Sequence, residues 1–156
     1  MTPGQSREPL KKVQLITDGA AQPNPGRGGW ACILRYGKYK REIFGFSPHS
    51  TNNRMELTAA VEGLRALLEQ CEVEIVTDSE YLKKGITEWI HNWKRRNWKT
   101  STGSPVMNAD LWKELDEQNQ RHRTRWVWTR GHASHEDNNR ADELATQAAR
   151  EQRASR

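Results

Sequence analysis

Apolar and polar positions change period several times along the chain, and each change marks an element. Val13, Leu15 and Ile16 lead into Thr17 and Asp18 before Gly19 interrupts them, which reads as a central strand ending in a carboxylate. Residues 20–29 contain Pro23-Asn24-Pro25-Gly26, a turn composition, and precede a second strand over residues 30–36. Gly37 and Lys38 make a short turn into a third strand, residues 39–46. Connections this short imply antiparallel neighbours. After a loop over residues 48–53, Leu57, Val61, Leu64 and Leu68 recur at helical spacing. They predict a helix ending near Gln70, with Asn53 and Glu56 spaced as a capping box. This helix supplies the crossover that makes a strand over residues 73–78 parallel to the first.

Farther along, a short helix over Glu80–Lys84 is predicted to stop at Gly85, with another beginning near Thr87. Residues 97–104 are polar and irregular, and residues 109–120 form a helix with Leu111, Trp112 and Leu115 inward. Trp126 and Trp128 alternate against Val127 as in a half-buried strand. Residues 131–139 read as a loop, and a final helix runs from about Asn139 to Arg150. The order βββαβ, then helices, a strand and a helix, predicts an α/β fold. Its mixed five-stranded sheet has three antiparallel strands, further parallel strands, and helices on its faces.

Residues 74–79 (Glu-Ile-Val-Thr-Asp-Ser) echo the first strand, so Ile16, Thr17 and Asp18 correspond to Val76, Thr77 and Asp78 face for face. If the strands lie parallel and in register, Asp18 and Asp78 project from one face about 5 Å apart. Carboxylates that close repel unless one is protonated or a cation sits between them. Glu56 flanks the sheet-facing side of the crossover helix. Asp142 lies early in the final helix, in line with Asn138 and Ala145. Taken singly, these acids suit turn, cap and helix-dipole duties. Taken together at the carboxyl ends of parallel strands, they are hard oxygen ligands suited to Mg²⁺ or Mn²⁺.

Length and composition bound the partners. At 156 residues, one domain over residues 11–150 is expected, with a disordered tail at 1–10 and a short tail at 151–156. No apolar run approaches the roughly 18 residues of a membrane span, and the opening stretch lacks an apolar signal core. A cytoplasmic protein is therefore expected. Cys32 and Cys71 have no metal-ligand spacing and are expected to be reduced, structural thiols. The formal net charge of +5 persists although several acids belong to one cluster, which makes a polyanion a plausible partner. Residues 89–99 (Trp-Ile-His-Asn-Trp-Lys-Arg-Arg-Asn-Trp-Lys) put Trp89 and Trp93 on one helical face, beside a basic knuckle of Lys94, Arg95, Arg96 and Lys99. The tryptophans also suit a small core that holds this segment, and the charges a solvated face.

Five stretches carry a resemblance: Ile16-Thr17-Asp18-Gly19, Asn24-Pro25-Gly26, residues 51–57 (Thr-Asn-Asn-Arg-Met-Glu-Leu), Val76-Thr77-Asp78-Ser79, and Gly131-His132-Ala133 followed by residues 138–144. In this order they resemble the bacterial type 1 ribonuclease H family over roughly residues 11–150. The resemblance implies a ribonuclease H-like sheet with helices on both faces. It implies an endonuclease, expected to act as a monomer, that hydrolyses the RNA strand of RNA–DNA hybrids with two divalent metals and leaves 5′-phosphate and 3′-hydroxyl ends. Asp18 would bridge both metals, Asp142 would help hold the one activating water, and Glu56 and Asp78 the one facing the leaving oxygen. His132 would relay a proton or help product leave.

The stretch from Trp89 through Trp93, Lys94, Arg95, Arg96 and Trp98 resembles the family's basic protrusion, which grips the hybrid. Asn24, Asn52 and Asn53 would read 2′-hydroxyls, with Thr51, Glu80 and Asn138 also beside substrate. Two departures stand out. Gly103, Ser104 and Met107 occupy positions where close relatives tend to carry lysine, and Glu80 occupies one where glutamine is usual. A 3′–5′ exonuclease of similar fold is the enzymatic alternative, opposed by the basic helix and the Asn52-Asn53 loop. A non-catalytic hybrid-binding module is opposed by the presence of all four acids and His132.

Overall fold

The computed structural model describes residues 9–130 and 135–156. Five strands, β1 (Lys11–Gln22), β2 (Gly26–Tyr36), β3 (Tyr39–Ser50), β4 (Cys71–Thr77) and β5 (Arg123–Trp128), form one sheet in the order β3-β2-β1-β4-β5. β1, β2 and β3 pair antiparallel, whereas β1–β4 and β4–β5 are parallel. The predicted echo is exact in register, since Leu15 pairs with Ile75 and Ile16 with Val76. Odd-numbered residues of β1 (Val13, Leu15) join Val73, Ile75, Leu57, Leu64, Trp112 and Leu115 in the larger core. Even-numbered Ile16 packs with Ile33, Val76 and Ala141 on the opposite face. Helices therefore cover both faces: α1 (Asn52–Arg65) and α4 (Ala109–Arg121) on one, α5 (Glu136–Glu151) on the other.

Several boundaries differ from the sequence reading, each for a tertiary reason. Gly19 does not end β1, which continues to Gln22. A β-carbon at Gly19 would lie 2.4 Å from the Glu56 nitrogen, so this glycine lets α1 lie against the strand. Thr51, not Asn53, caps α1 by accepting from the Arg54 N–H at 3.1 Å. The helix ends at Arg65 rather than near Gln70, and Leu68 is 97% exposed. Arg121 donates to the carbonyls of Leu64 and Leu67, and the buried His122 ring also meets the Leu64 carbonyl. The last turn's acceptors are thus taken from outside.

Gly85 does not stop its helix either. α2 (Glu80–Lys84) runs through a π-helical turn, Gly85–Trp89, into α3 (Ile90–Arg95). The Trp112 indole fills the place of the missing side chain, only 2.0 Å from where a β-carbon would stand. α5 begins three residues before the predicted Asn139, because the His135 Nδ1 accepts from the Asn138 N–H at 3.1 Å and caps it. Cys32 and Cys71 are buried free thiols. No helix among the described residues is long and apolar enough to cross a membrane.

Candidate active site

Asp18, within β1, and Asp78, one residue past β4, stand just beyond the point where the two strands stop pairing, and the first turns of α1 bring Glu56 against them. One carboxylate oxygen from each of Asp18, Glu56 and Asp78 lies within 4.8 Å of the others. Asp18 and Glu56 are buried, whereas Asp78 is exposed. The Gly19 N–H orients both buried acids, donating to Asp18 Oδ1 at 2.8 Å and to Glu56 Oε1 at 3.0 Å. Glu56 therefore reaches across to β1 rather than completing a capping box. Asp142 lines the same cleft of about 410 Å³ from α5, but its oxygens are not part of the close triad.

Burial and mutual repulsion set the protonation of the cluster. Burial first, then the charges of Asp78 and Asp142, push Asp18 up to about 7. Burial, followed by the Asp18 charge, holds Glu56 well above the usual carboxylate range. Asp78 is raised as well, by partial desolvation of its carboxyl and then by the Asp142 charge. Glu56 Oε2 is buried with no hydrogen-bond partner among the described residues. A buried anionic oxygen without a donor is costly, and a cation between the three acids would satisfy it. The donor set is all carboxylate, which fits a hard divalent ion.

The cleft's polar rim comes from Asn52, Asn53, Ser79 and the backbone from Gly19 to Gln22. Asn24 Oδ1 accepts from the Asn52 N–H at 3.2 Å, and Asn52 Oδ1 accepts from the Ala21 N–H at 2.6 Å. The turn over residues 23–25, β1 and the start of α1 are thereby tied into one rim. Thr51 serves as helix cap, and Asn138 is buried in the first turn of α5. Glu80 sits in α2 within 3.7 Å of Lys84, outside the residues lining the cleft. His132, with Gly131 and Ala133, lies outside the described residues.

Trp89, Trp93 and Trp98 belong to a chain of rings. Trp93 meets Trp89 at 6.1 Å, Trp98 at 6.3 Å and Trp112 at 5.3 Å between centroids. Trp112 stacks on Tyr81, whose hydroxyl accepts from the indole N–H at 3.0 Å. The rings have both a structural and an exposed side: Trp112 is fully buried, whereas Trp89 is 40% exposed. Trp98 is left-handed at φ +63°, which turns the chain after the basic run, and Lys113 lies 5.4 Å above its ring. Lys94 is held by Asp116 of α4 at 2.7 Å, which leaves Arg95, Arg96 and Lys99 as the exposed cations of the knuckle without an ion pair among the described residues.

One structural element of the site had no local sequence signal. Arg54 bonds Asp110 through both guanidinium nitrogens, at 2.8 and 3.1 Å, and Asn108 at 3.1 Å, fastening the start of α1 to the start of α4. A pair 56 residues apart leaves no periodicity to read. The doubly used Gly19 N–H was marked by the glycine following Asp18.

The RNase H family model matches residues 10–150. Ribonuclease H of Solibacter usitatus (strain Ellin6076) is 65% identical over 146 residues, covering 94% of this chain and 100% of the relative. Ribonuclease HI of Neisseria meningitidis serogroup B is 54% identical over 137 residues, covering 88% of this chain and 94% of the relative. Among solved structures, LC9-RNase H1, a type 1 RNase H with the type 2 active-site motif, aligns with a TM-score of 0.85 at 31% identity, over 96% of this chain and 77% of that one. LC11-RNase H1 in complex with RNA/DNA hybrid shares the fold with a TM-score of 0.64 at 20% identity, over 89% of this chain and 97% of that one. With a family match across nearly all of its described length, and an acid-lined cleft at the ends of its parallel strands, the chain belongs to the RNase H family and has ribonuclease H function.

Proposed function

We propose that this protein is an endonuclease that hydrolyses the RNA strand of RNA–DNA hybrids, using two divalent ions and leaving 5′-phosphate and 3′-hydroxyl ends. One observation carries the reading: three carboxylates within 4.8 Å, one of them presenting a buried, unpartnered oxygen. Asp18, Glu56, Asp78 and Asp142 would hold the ions, Mg²⁺ or alternatively Mn²⁺. Bound there, such ions supply charge neutralisation and Lewis acidity for in-line phosphodiester hydrolysis. The Gly19 N–H keeps Asp18 and Glu56 aimed into the cleft, so the ligand set is pre-positioned.

Asn24, Asn52 and Asn53 would read 2′-hydroxyls across a wide minor groove, since amide groups can both donate and accept. Arg95, Arg96 and Lys99 would neutralise phosphates away from the cut, beside the exposed faces of Trp89, Trp93 and Trp98. His132 is assigned proton relay or product release. The enzyme is taken to act as a cytoplasmic monomer.

Labelled RNA–DNA hybrid, duplex RNA and duplex DNA, each with and without Mg²⁺, test this directly. Only hybrid with Mg²⁺ should be cut, and a hybrid blocked at its RNA 3′ end should be cut equally well. Asp18→Asn should bind hybrid without cutting it. Cleavage in EDTA, or by Asp18→Asn at the wild-type rate, defeats the reading.

A further inference from the structure

β3 is an edge strand of 12 residues, and a long edge offers unpaired N–H and C=O groups to any incoming strand. It also carries Tyr39 and Phe46, 68% and 42% exposed. At its middle, the end of the chain occupies both edge groups of Phe44. The Phe44 N–H donates to Ser155 Oγ at 2.9 Å, and the Phe44 carbonyl accepts from the Ser155 N–H at 2.9 Å and its hydroxyl at 3.1 Å. Ser155 thus satisfies both edge groups of Phe44, the N–H through its hydroxyl and the carbonyl through its N–H and hydroxyl.

The path to that position is specified locally. Gln152 adopts a left-handed conformation at φ +52°, its N–H bonds the Ala148 carbonyl at 2.8 Å, and α5 stops. Its side-chain amide donates to the carbonyls of Ala149 at 2.8 Å and Gly28 at 3.3 Å, which pins the turn to β2. On the strand itself, Glu42 is held by Arg140 of α5, and Pro48 has no N–H to offer. The uncovered edge is self-complementary. In an antiparallel pair of two copies centred on Phe44, Glu42 would face Phe46 and Lys40 would face Pro48, so no like charges would oppose each other directly, and the missing Pro48 N–H would leave one bond unmade at each end.

We propose that residues 152–156 are an intramolecular cover for the β3 edge, occupying the site that a second copy of this chain would otherwise use for strand pairing. Two variants test it by sedimentation and amide exchange: a chain ending at Gln152, which keeps the helix cap, and Ser155→Ala in the full chain. The full chain should sediment as a monomer at every concentration, and the shortened chain should self-associate as concentration rises. In dilute Ser155→Ala the Phe44 amide should exchange roughly tenfold faster, while amides of β1 and β4 are unmoved. Hybrid cleavage by Ser155→Ala should equal that of the wild type. A shortened chain that stays monomeric, or a Phe44 amide equally protected in Ser155→Ala, overturns the proposal.

Discussion

Asp18 is the residue on which the cleft's electrostatics turn. In the folded, metal-free chain it keeps a proton to about pH 7, well above the ~3.9 of a free aspartate, because burial and neighbouring acids disfavour its charge. The folded state therefore binds more protons than the unfolded one between about pH 4 and 7. Over that window the stability of the metal-free protein falls as pH rises. Asp18→Asn removes the charge that must be forced into the site. Thermal melts in EDTA should show this variant melting a few degrees above wild type at pH 8, with the gap closing near pH 4. A gap independent of pH would mean that Asp18 is not a strained acid. Glu56 shows why such a site is hard to read locally. Its spacing from Asn53 matches a capping box, yet its carboxylate turns to the Gly19 N–H instead.

At the scale of elements, the strand and helix order was legible because periodicity records burial. Ile16 and Val76, and Leu15 and Ile75, are adjacent in the sheet as the repeated apolar pattern required. Helix ends were less legible, since distant partners set them. Arg121 and His122 close α1 from more than fifty residues away, and Leu68 keeps its helical spacing without a helix to belong to. Within the site, the nearness of Asp18 to Asp78 followed from register, and the contribution of Glu56 from its place on the crossover helix. Asp142 lines the same cleft from α5 but stands outside the close triad.

Gly19 joins β1 to α1, so Gly19→Ala tests the junction. A methyl placed 2.4 Å from the α1 backbone must push the helix outward. The variant should lose about 1–3 kcal/mol by denaturant melts. It should also lose turnover beyond what its folded fraction explains, because the N–H that aims Asp18 and Glu56 moves with it. Wild-type turnover in a destabilised Gly19→Ala chain would show that this amide does not position the acids.

Across the whole molecule, an acidic cleft and a basic protrusion coexist on a chain of net charge +5. On the proposed function the two parts would have separable jobs, positioning metal and holding polyanion, and would answer differently to salt. Arg96 is exposed, and Arg96→Ala should weaken hybrid binding and flatten the salt dependence of log K by about one unit of slope, with kcat nearly unchanged. Lys94 already pairs with Asp116, so Lys94→Ala should change that slope less and stability more. Equal slopes for both variants would contradict this division, which the sequence alone could not draw, because Asp116 lies on another helix.

Asp18, Glu56 and Asp78 would together hold a divalent cation, and calorimetric titration of Mn²⁺ into the protein at pH 7.5 reads that binding. Wild type should bind with proton release, and Asp18→Asn and Glu56→Gln should each bind at least about tenfold more weakly. Equal affinity in all three proteins would contradict it.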